Sequence, residues 1–139
     1  MKIKNFNVRV YAICIQNKKL LVIKEPFVGK MVTKLPGGGL ELGEGPAECL
    51  VREFKEELNL TISNIEPFYI QQNFVPSLAQ DKSQIVMLYF KVTINNYSEL
   101  QVLEQKIEAI KWVEMTDQCP LDLPVDIEMY NYLKTKELR

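Results

Sequence analysis

The chain has 139 residues, of which 47% are hydrophobic and 25% charged, a composition typical of a single globular domain over residues 1–139. Its net charge of −1 excludes a general electrostatic attraction to nucleic acid or to anionic membranes, so we expect no DNA-binding domain and no membrane partner. Histidine is absent, which excludes Ser–His and Cys–His dyads, histidine-ligated zinc and an imidazole base. The three cysteines form no CxxC pair, so the sequence favours a reducing, cytoplasmic location.

The first forty residues alternate between strand and loop patterns. Val8–Ile15 is predicted to form a strand that pairs, through a polar turn, with a second strand over Lys19–Ile23. Glu25–Thr33 is predicted to be a loop, because a proline and a glycine interrupt it. Pro36–Gly39 contains three consecutive glycines and is predicted to be irregular.

The rest of the chain contains two helix patterns separated by strands. The predicted elements are a helix over Pro46–Leu58, strands over Ile62–Phe74, Gln84–Ile94 and Ile110–Val113, a loop over Pro76–Lys82, and an amphipathic helix over Val125–Leu138. Strands followed by a helix, further strands and a second helix predict an α/β fold. We expect its mixed β-sheet to be covered by the helices.

The first predicted helix has clear ends and one apolar face. Pro46 suits the first helical position, because its missing N–H would have no partner there. Asn59 can adopt the left-handed conformation that closes a helix. The apolar residues recur at helical spacing and are Ala47, Leu50, Val51, Phe54 and Leu58. We expect this face to dock on a sheet, since a helix of this length is marginally stable alone.

Three carboxylates, Glu53, Glu56 and Glu57, lie on neighbouring turns of the same helix. They repel one another by about 1 kcal/mol for each pair in water and by more at a partly buried surface. Two interpretations remain open from this cluster alone: a solvated acidic face, which is common, or a site for a hard divalent cation such as Mg²⁺. The glycines before the helix favour the cation site, because they let the backbone approach a ligand closely.

Together these residues resemble the Nudix box, the signature of the Nudix (MutT-type) hydrolase family, over residues 38–60. Gly38 opens the pattern, Glu44 follows after five residues, and Arg52-Glu53 follow after seven more. The pattern is completed by Phe54, Lys55, Glu56, Glu57, Leu58, Asn59 and Leu60, and the lead-in Leu35-Pro36-Gly37 is also similar. Asn59 replaces the family's final glycine, which we expect to do little damage because asparagine tolerates the left-handed region.

The resemblance implies an α/β/α sandwich with a mixed β-sheet, and a hydrolase that cleaves a diphosphate bond in a nucleoside diphosphate linked to another group. It implies Mg²⁺ as cofactor, with Mn²⁺ as a substitute. The implied metal ligands are the carbonyl of Gly37 and the carboxylates of Glu56 and Glu57. Glu53 would bind a second cation or orient the attacking water.

The resemblance also assigns roles to Arg52 and Glu44. We expect Arg52 to pair with Glu44 or the cluster glutamates and to hold them in place rather than to touch the substrate. Without histidine the general base is a glutamate, either Glu53 or one from the region of Glu104 and Glu108.

The substrate itself stays open. Nucleoside triphosphates are the leading expectation; nucleotide sugars, dinucleotides and capped RNA are alternatives. The residues predicted to contact the substrate are Gly38, Gly39, Lys24, Lys34 and Glu108. The family often forms homodimers, which makes a second copy of the chain a candidate partner. The alternative function is a nucleotide-sensing or interaction module on the same fold without turnover, and the crowded glutamates argue against it.

Overall fold

A computed structural model of the chain describes residues 2–79 and 81–137. Its elements, in chain order, are strands β1 (Asn5–Ile13), β2 (Ile15–Gln16), β3 (Lys19–Phe27), β4 (Lys30–Lys34) and β5 (Gly37–Gly39), helix α1 (Pro46–Leu58), strands β6 (Ile62–Ile70), β7 (Ser83–Ile94) and β8 (Ala109–Glu114), and helix α2 (Pro124–Glu137). A short 3-10 turn over Tyr97–Glu99 lies between β7 and β8.

The strands form two four-stranded sheets. The first has the order β5-β1-β7-β6, and it is mixed because β1 runs parallel to β7 while the other pairs are antiparallel. The second is antiparallel and is built on β3, which pairs with β8 along one edge and with β2 and β4 along the other. The predicted α/β fold with a mixed sheet is confirmed, and the second sheet is an addition to it.

The strand predicted over Val8–Ile15 is divided between the two sheets. From Val8 to Ile13 it pairs with β7, and only Ile15 and Gln16 pair with β3. The predicted pairing with Lys19–Ile23 is therefore wrong over most of its length. A tight turn fixes the pairing only of the residues next to it, and a long parallel partner then determines where the rest of the strand lies.

The segment Glu25–Thr33, predicted to be a loop, is a β-hairpin. β3 continues to Phe27, and β4 begins at Lys30 after a two-residue turn. Val28 and Gly29 form that turn with φ values of 49° and 81°, which is the backbone of a tight hairpin turn. The proline at position 26 is tolerated because β8 pairs with β3 only as far as Lys24, and beyond that point no N–H is needed on that edge.

The three glycines predicted to be irregular form strand β5, which pairs with Arg9, Val10 and Tyr11 of β1. A Cβ atom on Gly37 would lie 2.1 Å from the carbonyl oxygen of Val10, and Gly37 has a φ of 146°. The strand therefore requires glycine because two backbones approach closely, and not because the chain turns there.

Two hydrophobic cores lie on opposite sides of the strands. Along β1, Val10 and Ala12 pack in the core under α1, whereas Tyr11 and Ile13 pack in the core under α2. This alternation follows from the two-residue period of a strand. It gives the α/β/α layering that the family resemblance implied.

Helix α1 has the predicted bounds, but its buried face is rotated from the predicted one. The buried residues are Cys49, Leu50, Phe54 and Leu58. Ala47 and Val51 were predicted to belong to this face but are exposed, Val51 by 47%. The helix packs against the narrow glycine strand and β1, so its contact face turns toward Cys49, a small residue that permits close approach.

The remaining predicted elements agree with the structure within a few residues. The strand predicted over Ile62–Phe74 ends at Ile70, and the helix predicted over Val125–Leu138 begins at Pro124, with Leu138 outside the described residues. Gln80 of the predicted loop Pro76–Lys82 is also outside them. No helix in the described part of the chain is long and apolar enough to cross a membrane.

Candidate active site

The ends of α1 determine where its charged side chains lie. At the start, the backbone N–H of Gly45 donates to the carboxylate of Glu48 at 2.7 Å, and Pro46 follows as the first helical residue. At the end, Asn59 has φ 58° and ψ 35°, the predicted left-handed conformation. With the apolar face buried, Arg52 faces the end of β5 and the loop that follows it.

Arg52 is the centre of the polar network. Its guanidinium donates from Nε and Nη2 to the two carboxylate oxygens of Glu44, at 3.0 and 2.7 Å. Nη1 donates to Glu53 at 3.1 Å and to Glu56 at 3.3 Å. Nη2 also donates to the carbonyl oxygen of Gly39 at 3.1 Å. One side chain therefore connects the glycine strand, the loop before the helix and the helix itself.

The pairing with Arg52 fixes the charge state of Glu44. Hydrogen bonds from Arg52 and from the backbone N–H of Glu41 lower the pKa of Glu44 to about 2. The same bond to Glu44 raises the pKa of Arg52 further above its usual value. Both groups are therefore ionised at any physiological pH. The exposed Glu41, whose carboxylate lies 3.6 Å from Nη1 of Arg52, is a member of the network that the sequence did not indicate.

Glu53 and Glu57 lie side by side on the other side of this network. Burial, a hydrogen bond with Glu53 and the charges of Glu53 and Glu25 raise the pKa of Glu57 to about 8, against the opposing charge of Lys34. The carboxylate of Glu53 also lies against β5, because a Cβ on Gly38 would be only 2.5 Å from its Oε1. The two acidic groups are thus held close enough for Glu53 to disfavour the ionised form of Glu57.

A small cavity of about 10 Å³ borders these two glutamates, and its lining includes Pro36 and Gly37. Glu56, the third predicted metal ligand, is 61% exposed and turns toward Arg52. Among the described residues, no three cysteine, aspartate or glutamate side chains converge on one point as a finished metal site. Of the three predicted ligands, Glu53 and Glu57 lie together and Glu56 does not.

A separate cleft of about 790 Å³ is lined by none of the glutamates of α1, although Glu25 and Lys34 on its wall are near enough for their charges to affect Glu57. Its walls include Arg9, Tyr11, Phe27, Lys34 and Met87. Of the residues predicted to bind substrate, Lys34 lines this cleft. Lys24 and Glu108 line neither this cleft nor the small cavity.

Arg9 and Tyr11 line the cleft but were not among the site residues predicted from the sequence. The signal was present, since an arginine and a tyrosine alternate with valine and alanine along an otherwise apolar strand. That pattern indicates a strand whose one face is buried in a core and whose other face borders a polar space.

Cys49 lies within the site but is a packed residue. It is fully buried, and its thiol donates to the carbonyl oxygen of Gly39 at 3.5 Å. Burial raises its pKa to about 12. A thiol with this pKa is not a nucleophile at neutral pH.

The chain is similar to known proteins in sequence pattern and in fold. The family model described as the NUDIX domain matches residues 5–135. The structure is similar to a NUDIX hydrolase from Nitrosomonas europaea, with a TM-score of 0.77, 20% identity, and coverage of 96% of this chain and 91% of that one. It is also similar to the MutT NUDIX hydrolase from Burkholderia pseudomallei, with a TM-score of 0.73, 21% identity and coverage of 92% and 98%.

A third similar structure is that of the E. coli ORF135 protein, with a TM-score of 0.74, 22% identity, and coverage of 97% of this chain and 94% of that one. At these identities the likeness concerns the fold alone. The match to the family model covers nearly the whole chain, including Gly38, Glu44, Arg52 and the glutamates of α1. The chain therefore belongs to the NUDIX family.

Proposed function

We propose that this chain, a Nudix hydrolase acting on phosphoanhydride bonds, uses Mg²⁺ to cleave a diphosphate bond in a nucleoside diphosphate linked to another group. The substrate that we favour is a nucleoside triphosphate. The observation that carries the proposal is the crowding of Glu53 and Glu57 at the small cavity beside Gly37, close to the charges of Glu25 and Lys34 on the wall of the large cleft. Folding alone gains nothing from crowding these two half-buried carboxylates, whereas a divalent cation is stabilised by them.

The residues that would hold the metal are Glu56, Glu57 and the carbonyl of Gly37, with Glu53 beside them as the base or as a ligand of a second cation. They fit Mg²⁺ because all the donors are oxygens, and because burial and the neighbouring charges of Glu53 and Glu25 disfavour the ionised form of Glu57, which a cation would stabilise. Proteins of this family generally use divalent metal ions. When bound, Mg²⁺ would neutralise charge on the phosphate oxygens of the substrate.

The chain's own residues would divide the remaining tasks. Arg52 acts as a positioning residue, because its bonds to Glu44, Glu53 and Gly39 hold the glutamates against the glycine strand. Glu53 is the general base that we propose, since it borders the small cavity, whereas Glu108 is exposed and lines neither cavity. The cleft walls would bind the rest of the nucleotide and exclude part of the water around it.

The test is turnover of a nucleotide panel in the presence of Mg²⁺, read as release of phosphate or pyrophosphate. We expect hydrolysis to stop with EDTA and to return with excess Mg²⁺ or Mn²⁺. The Glu53→Gln variant should bind the same nucleotides and turn them over slower by orders of magnitude. Full activity in metal-free buffer would refute the metal proposal. Binding without turnover of any nucleotide would instead support the alternative, a nucleotide-sensing module.

We also propose a cytoplasmic location and small nucleotides as partners. All three cysteines are free thiols, and Cys14 and Cys49 are buried, which suits a reducing compartment. A homodimer remains a proposal from the family resemblance. Light scattering of the purified protein at several concentrations tests it directly.

A further inference from the structure

Arg9 is a cation on the wall of the cleft with few protein partners. Its Nε donates to the hydroxyl oxygen of Tyr11 at 2.6 Å, and its guanidinium carbon lies 5.6 Å from the centre of that ring. It forms no ion pair with any carboxylate among the side chains that the structure describes. Its remaining N–H groups are therefore available to a ligand in the cleft.

Lys34, the second cation against Tyr11, is in a different situation. Its ammonium lies 5.4 Å from the centre of the same ring, but it also pairs with the carboxylate of Glu25 at 3.6 Å. Both members of that pair are largely buried. The charge of Lys34 is thus partly matched within the protein. Two cations that line the cleft, Arg9 and Lys106, form no ion pair in the described part of the chain, and Arg9 is the half-buried one of the two.

Arg9 and the glutamate cluster lie on opposite faces of strand β5. A Cβ on Gly38 would point at the carboxylate of Glu53, and a Cβ on the next residue, Gly39, would lie 3.5 Å from Nη1 of Arg9. Successive residues of a strand face opposite sides of the sheet. A phosphate held between the glutamates of α1 is therefore not the group that Arg9 contacts.

We propose that Arg9 binds a phosphate group of the substrate on the cleft face of β5, in addition to the two phosphates joined by the cleaved bond. A guanidinium with free N–H groups in a partly desolvated cleft suits a phosphate, which accepts two parallel hydrogen bonds from it. The inference rests on the proposed function, because it takes the cleaved diphosphate to lie at Glu53, Glu56 and Glu57. The favoured substrates then carry at least three phosphates, with the third either on the same phosphate chain or on a ribose.

The test uses two pairs of nucleotides whose members differ by one phosphate. ATP and ADP differ at the end of the phosphate chain, and NADP⁺ and NAD⁺ differ on the ribose. Binding is measured by calorimetry in EDTA, so that nothing is turned over. In at least one pair, we expect wild type to bind the nucleotide with the additional phosphate at least about tenfold more tightly than the other. The pair that shows this difference identifies the position of the additional phosphate.

The variants assign this preference to Arg9. Arg9→Gln should bind both members of the pair within about threefold of each other, and Arg9→Lys should keep part of the preference because it keeps the charge. Lys111→Gln, which removes an exposed charge from β8, is the matched control and should behave as wild type. Thermal melting of each variant checks that it folds, and Arg9→Leu replaces Arg9→Gln if the latter does not.

Turnover in Mg²⁺ separates this inference from the proposed function. Arg9→Gln should raise KM for the preferred nucleotide about tenfold and change kcat by less than about threefold, since Arg9 lies away from the reacting bond. The inference is overturned if wild type distinguishes neither pair, or if Arg9→Gln keeps the wild-type preference. Hydrolysis without such a preference would refute only the proposed phosphate subsite at Arg9. A preference in EDTA without hydrolysis in Mg²⁺ would refute only the proposed hydrolase activity.

Discussion

Arg52 and Glu44 form a two-point pair, with nitrogen–oxygen distances of 3.0 and 2.7 Å, across the turn that begins helix α1. The geometry matches both N–H groups of one side of a guanidinium to both oxygens of one carboxylate. Because Arg52 also bonds to Glu53 and to the carbonyl oxygen of Gly39, the pair connects the position of the helix to that of the glycine strand.

The first prediction follows from this pair. Arg52→Lys should reduce kcat/KM by 10- to 100-fold or more, because a single ammonium cannot bond to both oxygens of Glu44 and to Gly39 at once. Glu44→Gln should cause a loss of similar size. The double variant should be little worse than either single one, since both changes break the same unit. Steady-state kinetics with Mg²⁺ measure kcat/KM for the three variants. A loss in the double variant equal to the product of the two single losses would contradict a shared role.

The second prediction concerns Glu57 without metal. Its pKa is raised to about 8, above its value in the unfolded chain, so the protonated form stabilises the fold. That contribution is complete below about pH 4.3, the ordinary pKa of glutamate, and is lost as the pH rises through 8. Glu57→Gln mimics the protonated acid. In EDTA its melting temperature should therefore equal that of wild type at pH 5 and exceed it at pH 8 to 9. The gain in the free energy of unfolding should be up to about 1 kcal/mol, after allowance for the solvent exposure of Glu57.

Adding Mg²⁺ should reverse that order. Binding of the cation to the native state stabilises wild type, whereas Glu57→Gln lacks one of the proposed ligands and gains much less. The measurement is the melting temperature of both proteins in EDTA and in excess Mg²⁺. If the melting temperature of Glu57→Gln in EDTA at pH 8 lies well below that of wild type, the carboxylate of Glu57 stabilises the fold. That result would contradict its proposed role as a metal ligand.

The third prediction compares two neighbouring glycines. In Gly38→Ala the new methyl group would lie 2.5 Å from the carboxylate of Glu53 and must displace it, while the fold can adjust because the displaced atoms end a flexible side chain. We expect a rate loss of about tenfold or more with a small change in melting temperature. Gly39→Ala meets its nearest atom at 3.5 Å and should lose much less. Equal losses in the two variants would show that the position of Glu53 does not matter for rate.

The fourth prediction concerns Asp126, a buried carboxylate that accepts a hydrogen bond from Tyr89 at 2.5 Å. Burial raises its pKa to about 6, against the opposing effects of the Tyr89 hydrogen bond and the charges of Lys34 and Arg9. The protonated form therefore stabilises the fold below about pH 4, and this contribution is lost as the pH rises through 6.

Asp126→Asn should remove that dependence. Its melting temperature should fall less than that of wild type between pH 4 and pH 7, and at pH 7 it should be more stable by the order of 1 kcal/mol. Asp117→Asn, at an exposed position, serves as the control and should follow the wild-type profile. If Asp126→Asn and wild type lose stability in parallel, Asp126 is ionised throughout that range.

The fifth prediction concerns Asn59, which stands where the family pattern has glycine. Asn59→Gly should leave turnover near wild type and shift stability by less than about 1 kcal/mol. The amide of Asn59 donates to the carbonyl oxygen of Glu99 at 3.2 Å, and losing that bond offsets the relief of a left-handed backbone. Asn59→Ala should be worse by about 1 kcal/mol, because alanine fits that conformation poorly. Urea denaturation and a rate assay measure both, and a tenfold rate loss in Asn59→Gly would reveal a further role.

Features fixed by neighbours in sequence could be predicted. The bounds of α1 followed from Pro46 and Asn59, and the crowding of its carboxylates followed from helical spacing, because these signals act within a few residues. The hairpin at Val28 and Gly29 was missed because valine seldom adopts a positive φ. Its turn is imposed by the pairing of the strands on either side.

Features that depend on partners far along the chain could not be read in the same way. The glycines of β5 form a strand only because β1, almost thirty positions earlier in the chain, provides a strand for them to pair with. Arg9 lines the cleft only because β1 pairs with β7, which places Arg9 beside Met87. The alternation along β1 shows which residues share a face but not what that face borders, so the sequence indicated the helix with the glutamates more completely than the cleft.

The alternation of β1 has a consequence for how such proteins diverge and can be redesigned. Asn7, Arg9 and Tyr11 border the cleft, whereas Val10 and Ala12 support the helix that carries the glutamates. Changes at Asn7 and Arg9 can therefore alter which molecule is accepted while the reactive end keeps its support, whereas Tyr11 also packs in the core under α2. A library restricted to Asn7 and Arg9 should retarget this scaffold with fewer inactive members than one that also varies the buried positions of β1.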